Sequence, residues 1–209
     1  MPLSKTARTA LVALIPLAAV ACAVAILSIP PDARLGTMVR FVMFHGASTW
    51  VNMATFTLAG LAGLGYIAGV RRLLPWGQAL RWFSLPLWTL NTVLGILSMQ
   101  LIWGGILWKE PRLLMTFGLL AGSVVIVAIQ LIADSPKAPA VLDALLAGGL
   151  WYLVLALPNL FHPDSPVFSS ENSAYIVGFL GMVASIAVVA FATVMLIARR
   201  AHSEKPAAE

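Results

Sequence analysis

The sequence predicts an all-α integral membrane protein, a bundle of six transmembrane helices with both termini in the cytoplasm. Three observations predict it. The chain of 209 residues is 60% hydrophobic and only 10% charged, and its apolar residues form runs longer than the helices of a soluble domain. The 13 Lys and Arg and 8 Asp and Glu fall almost entirely between those runs, as they should when a charge at the centre of a bilayer costs at least about 2.5–3.5 kcal/mol. With six runs both ends share a side. That side collects nine basic residues, Lys5, Arg8, Arg71, Arg72, Arg81, Lys137, Arg199, Arg200 and Lys205, against four, Arg34, Arg40, Lys109 and Arg112, on the other. The positive-inside rule makes the richer side cytoplasmic.

The first span covers about 10–29. Lys5 and Arg8 precede it, and Ala21-Cys22-Ala23 has the small residues of a cleavage site. The run is nonetheless about 20 residues, against 7–15 for a signal-peptide core, so a retained helix is expected, ended by Pro30-Pro31 and with Pro16 as a kink site. The second span, about 38–69, carries His45, Ser48, Thr49 and Asn52 at i, i+3, i+4 and i+7, one polar face that should point at other helices. Gly65 and Gly69 follow at GxxxG spacing, read as close helix packing. Arg71, Arg72 and Arg81 mark a connection. The third span, about 82–102, places Asn91, Thr92, Gly95, Ser98 and Met99 along one side, expected to meet the polar face of the second. The fourth, about 113–133, has Gly118 and Gly122 at the same glycine spacing; the fifth, about 140–157, stops at Pro158; the sixth, about 174–198, ends at Arg199-Arg200. No soluble domain is visible, and the whole chain reads as one transmembrane domain.

The outer connections are about 30–45, 103–112 and 158–173. Among them, Gln100 to Leu114 interrupts the apolar pattern with two tryptophans, two glycines, both signs of charge and a proline, a mix suited to a membrane–water boundary. Glu110, placed there, should be wet, so that its replacement by alanine spares folding. The basic residues form no patch with interleaved aromatics, so nucleic acid is no partner and the bilayer is the expected one. Cys22 is the single cysteine, which excludes an intrachain disulfide, a CxxC redox pair and covalent haem attachment through CxxCH. No nucleophile–base pair, metal-ligand cluster or phosphate-binding glycine loop is present, and an enzyme reading has no residues to carry it.

His45 and His162 both fall on the outer side, whereas His202 lies in the cytoplasmic tail. Histidine is a common axial ligand of haem iron, and two outer histidines would supply one imidazole to each face of the macrocycle. Tryptophans offer broad faces for stacking, arginine or lysine pairs with propionates, and Gly104-Gly105 permits close backbone approach.

The segment Met43-Phe44-His45-Gly46-Ala47-Ser48-Thr49-Trp50 resembles the His-x-x-Ser-x-Trp segment of the cytochrome c assembly proteins with a WWD domain, most closely the six-span haem exporter protein C type. Trp103-Gly104, followed by Trp108-Lys109-Glu110-Pro111-Arg112-Leu113, resembles a reduced form of that family's tryptophan-rich loop, between spans three and four. The resemblance covers about residues 38–198. It implies a haem-handling protein of cytochrome c maturation in a bacterial inner membrane, with its working loops facing the periplasm. A b-type, non-covalent haem would be held transiently and passed to a periplasmic haem chaperone or an apocytochrome, alongside ABC-type haem exporter subunits. By the same resemblance His45 is an axial ligand with Ser48 and Trp50 on its motif, His162 is the second ligand by position, Trp103 and Trp108 form the platform, and Arg112 holds a propionate. The sequence departs from the family pattern in a shorter loop, in Glu110 where aspartate is usual, in Lys109 set between Trp108 and Glu110, and in Gly46-Ala47 for Val-Pro.

The alternative is a small-molecule permease or exporter subunit that keeps the fold without haem, its pathway lined by the polar stripe of the second span and by Asn91 and Ser98. Polar residues continuing to the cytoplasmic end would mark it, and beyond Thr57 the second span turns to Leu, Ala and Gly. An electron-transfer subunit with b-type haem ranks lower, because it needs histidines within the hydrocarbon.

Overall fold

A computed structural model describes residues 3–158 and 167–203. Six helices, α1 Lys5–Ser28, α2 Met38–Ile67, α3 Leu74–Trp103, α4 Pro111–Ile132, α5 Lys137–Ala156 and α6 Ser173–Ser203, are each long and apolar enough to cross a membrane. No strand occurs among the described residues.

Local chemistry sets the boundaries. Ser4 caps α1 by accepting from the Ala7 N–H (3.1 Å), and the helix stops ahead of Pro30-Pro31, neither of which carries an N–H. In the short turn that follows, Asp32 accepts from the Arg34 and Leu35 N–H groups at 2.8 and 2.9 Å, and Gly36 adopts φ +55. The N–H groups of Leu35 and then Arg34 hold the half-buried Asp32 carboxyl below the usual carboxylate range. Arg40 on α2 donates to the Ile29 carbonyl (2.8 Å), tying the end of α1 to the next helix.

The α2 terminus corrects one reading of the sequence. Gly69 lies beyond the helix at φ +98, its N–H bonds the Tyr66 carbonyl (3.0 Å), and the Val70 N–H bonds the Gly65 carbonyl (2.9 Å). This paired closure is a Schellman cap, so the Gly65–Gly69 spacing ends a helix instead of packing two together. Close packing falls one turn earlier. A Cβ on Gly60 would come within 2.6 Å of Ala147 Cβ, and one on Gly63 would collide with the Ala140 carbonyl, so these glycines bring α2 and α5 nearly backbone to backbone. In α4, Gly122 meets Leu146, whereas Gly118 faces open space, and only one glycine of that pair serves packing.

A second correction concerns α3. The helix begins at Leu74, after a single 3-10 turn over Arg71–Leu73 and with Pro75 in its first turn, and not near residue 82. Arg81 therefore sits about 10 Å along a helix at 1.5 Å per residue, inside the bundle and not in a connection.

Helices α2, α3, α4 and α5 form a ring in which each packs on its two neighbours; α2 and α4 are diagonal, their backbones held apart. Phe56, Trp88, Leu119 and Leu150, one from each helix, fill the centre, and the buried Trp88 indole donates to the Thr116 carbonyl at 3.0 Å. Burying an aromatic body while satisfying its N–H is what allows a tryptophan at such a position. Helix α6 covers the α2–α3 side, and α1 packs chiefly on α6, where Gly178 and Gly181 admit Ile29 and Ala25.

Candidate functional site

The polar face of α2 meets α3, as its spacing predicts. Ser48 and Thr49 hydroxyls lie 2.7 and 2.9 Å from Asn91 Oδ1, and each is also within 2.9 Å of the His45 carbonyl. Each hydroxyl has one proton for two acceptors, so the seam has more acceptor capacity than donors. One turn further, the buried Asn52 amide accepts from the Trp88 N–H (2.6 Å) and donates to the Ser84 carbonyl (3.3 Å). Ser84 then donates to Thr55 at 2.8 Å. Ser48, Thr49, Asn52 and Ser84 thus find partners across the α2–α3 seam, which makes lipid exposure of either stripe costly.

His45 lies at the top of this seam. Its ring is seated against Gly95 of α3, where an added Cβ would come within 3.2 Å of His45 Cε1 and 3.7 Å of Nε2. Eight residues separate Gly95 from the α3 terminus at Trp103, about 12 Å of helix rise. The histidine is therefore held between helices, a turn or two below the loops, and the connection expected over 30–45 is helical from Met38 onward.

Trp50 follows on α2, half exposed, stacked on Phe168 (centroids 5.6 Å, 25° between planes) and edge-on to Phe179 of α6 (5.3 Å, 88°). Trp103 and Trp108 are 43% and 60% exposed at the α3–α4 connection, and Trp108 stacks loosely on Phe117 (6.5 Å, 13°). Arg112 stands in the first turn of α4, its Nε buried and without a hydrogen-bond partner among the described residues. His162 lies outside the described residues.

Glu110 is not wet. It is 3% exposed and caps α4, its Oε2 accepting from the Leu113 N–H at 2.5 Å, while Oε1 is buried with no partner among the described residues. A carboxylate there satisfies an orphan N–H and meets the positive end of the helix dipole. The expectation that its loss would leave folding untouched is overturned by this contact.

At the opposite end of the ring stands a site that the charge pattern concealed. Arg81, 4% exposed, donates through Nε to Asp143 Oδ1 (2.9 Å), through its second terminal nitrogen to Asp143 Oδ2, and through the first to Gln130 Oε1. Asp143 is also 4% exposed. The fork-on-carboxylate arrangement joins α3, α5 and α4. A lone acid three residues inside the fifth apolar run was the available signal, since a buried carboxylate requires a cation on a facing helix.

Comparison with models of known families and with curated proteins finds no match to this sequence. Fold and site together define a six-helix protein of membrane-spanning dimensions with one buried polar seam.

Proposed function

We propose that the protein holds haem at the His45 end of the bundle and passes it on during cytochrome c maturation. The observation that carries this reading is the stack of Phe168 on Trp50, which anchors the return of the α5–α6 connection beside the helix that presents His45. His162, six residues before Phe168 in the sequence, is the second ligand that the resemblance implies.

The residues fit such a cargo. His45 carries imidazole nitrogens of the kind that ligate haem iron, Trp103 and Trp108 are exposed indoles, and the orphaned Arg112 Nε is a donor suited to a propionate oxygen. In this reading both termini are cytoplasmic and the His45 end faces the periplasm of a bacterial inner membrane. With Arg81 counted inside the bundle the flanking charge stands at eight to four, the same sense as before. ABC-type exporter subunits and a periplasmic haem chaperone are the partners that the sequence resemblance implies. The test is the visible spectrum of the purified protein, oxidised and reduced, beside His45→Ala. A Soret band with sharp reduced α and β bands that collapses in the variant is expected. A spectrum unchanged by the variant would remove His45 as ligand, and a protein that takes up no added haem would end the reading.

One observation favours the permease alternative. Polar groups do continue past Thr57, carried by α3, α5 and α4 through Arg81, Asp143 and Gln130 instead of by α2. Uptake or efflux of a small polar solute by proteoliposomes, retained in His45→Ala, would place this reading first.

A further inference from the structure

The Arg81–Asp143–Gln130 cluster has no part in holding haem, and its surroundings are not those of a sealed structural pair. A cleft of about 360 Å³ opens at the end of the bundle formed by the start of α3 and the α4–α5 turn. Gln130 and Asp134 line it, so the amide that accepts from Arg81 is itself a wall of the cleft. Behind it lies a void of about 10 Å³ bounded by Arg81, Asp143 and Tyr66, near the smallest volume that admits one water. Leu74 and Gln78 border both spaces, which are therefore adjacent. The buried pair is thus linked to the water of the cleft through the Gln130 amide.

We propose that this cluster is a proton-binding site loaded through the cleft. A proton from water adds to the Asp143 carboxylate to give the neutral acid, and Arg81 keeps its charge. The charged and titratable groups around Asp143 are Arg81 on α3, Tyr66 on α2 and, in the cleft, Asp134 and Arg71; Gln130 on α4 is neutral. Once Asp143 is neutral, Arg81 is left with an amide alone inside the bundle, while a second carboxylate, Asp134, waits in the cleft four residues beyond Gln130. A buried guanidinium without a counter-charge is unstable, so Arg81 swings toward Asp134. Proton uptake is in this way coupled to release of the α3–α5 link, where Gly60 and Gly63 hold α2 against the same stretch of α5. The site is independent of the haem reading and stands on its own test.

That test is infrared difference spectroscopy of the full chain in lipid, recorded between neutral and mildly acidic pH. A carbonyl stretch of a protonated carboxylic acid should appear in the wild type, shift promptly in D2O because the cleft admits water, persist in Asp134→Asn and vanish in Asp143→Asn. Removing one member of a buried pair can unfold the bundle, so the spectra are repeated on Arg81→Gln/Asp143→Asn, which leaves no buried charge; the band should be missing there as well. A wild type without the band, a band that survives in both Asp143 variants, or one that does not exchange in D2O would overturn the proposal.

Discussion

Replacing Asp143 alone and replacing it together with Arg81 should have opposite consequences. Both side chains are 4% exposed and bound by two donor–acceptor contacts, so solvent screening offers little relief when one is removed. In Asp143→Ala the guanidinium loses its buried counter-charge and keeps Gln130, with Asp134 reached only by moving out toward the cleft, and breaking a buried pair in this way costs about 3–5 kcal/mol. In Arg81→Met/Asp143→Leu no charge remains to be desolvated, apolar volume fills the gap, and Gln130 turns to the water of the cleft it already lines. The double replacement should therefore cost no more than about 1 kcal/mol, as buried pairs exchanged for hydrophobes are often neutral or stabilising. Unfolding in mixed micelles by increasing SDS, followed by helical circular dichroism, measures Asp143→Ala, the singles Arg81→Met and Asp143→Leu, and the double variant. A double variant as unstable as the sum of its singles would falsify the reasoning, because the pair would then contribute through something other than mutual neutralisation.

Three further expectations use the same assay or amide exchange. Glu110→Ala should lower stability by about 0.5–2 kcal/mol, since it removes the cap on the Leu113 N–H; a wild-type transition would show that the cap carries no weight. Gly63→Ala and Gly60→Leu should destabilise strongly or prevent assembly, because α5 backbone and Ala147 occupy the space, whereas Gly118→Ala, facing nothing within 4 Å, should be neutral or stabilise by up to about 1 kcal/mol; equal effects would contradict the packing described. The turn after α1 should respond to acid with a definite sign. Asp32 is held below its usual pKa in the folded protein, so its contribution is complete above the ordinary carboxylate range and lost as pH falls through the lower folded value. Amide protection at Arg34 and Leu35 should fall over that range and become flat with pH in Asp32→Asn; a flat wild-type profile would contradict it.

The six helices were legible because bilayer thickness imposes a run length that few other forces imitate, and the α2–α3 seam was legible because His45, Ser48, Thr49 and Asn52 repeat with the helical period. Arg81 was misread for the reason that makes the method work elsewhere. Charge was taken to mark a boundary, yet a charge neutralised by Asp143 on a neighbouring helix marks nothing of the kind, and sequence spacing holds no record of that distant pairing. Glu110 failed similarly, because its burial depends on how the α3–α4 connection folds back over the start of α4. Gly65 and Gly69 show the limit of a spacing motif: four residues apart on a continuing helix they would share a face, but the helix ends between them. Of the candidate haem residues, the position of His45 against α3 followed from its stripe, while the seating of its ring on Gly95 required coordinates.

The pairing of α1 with α6 bears on how the chain is made. Of the six helices described, α1 is synthesised before the other five yet has its main partner in α6, and the groove that receives Ile29 and Ala25 is cut into α6 by Gly178 and Gly181. Until α6 emerges, α1 has only slight contact with α2 and otherwise faces lipid. If the helices insert singly and associate afterwards, the α1–α6 clasp closes only once α6 has emerged. A chain arrested before α6 would display an orphaned first helix in the bilayer, a surface that membrane quality control has the means to notice.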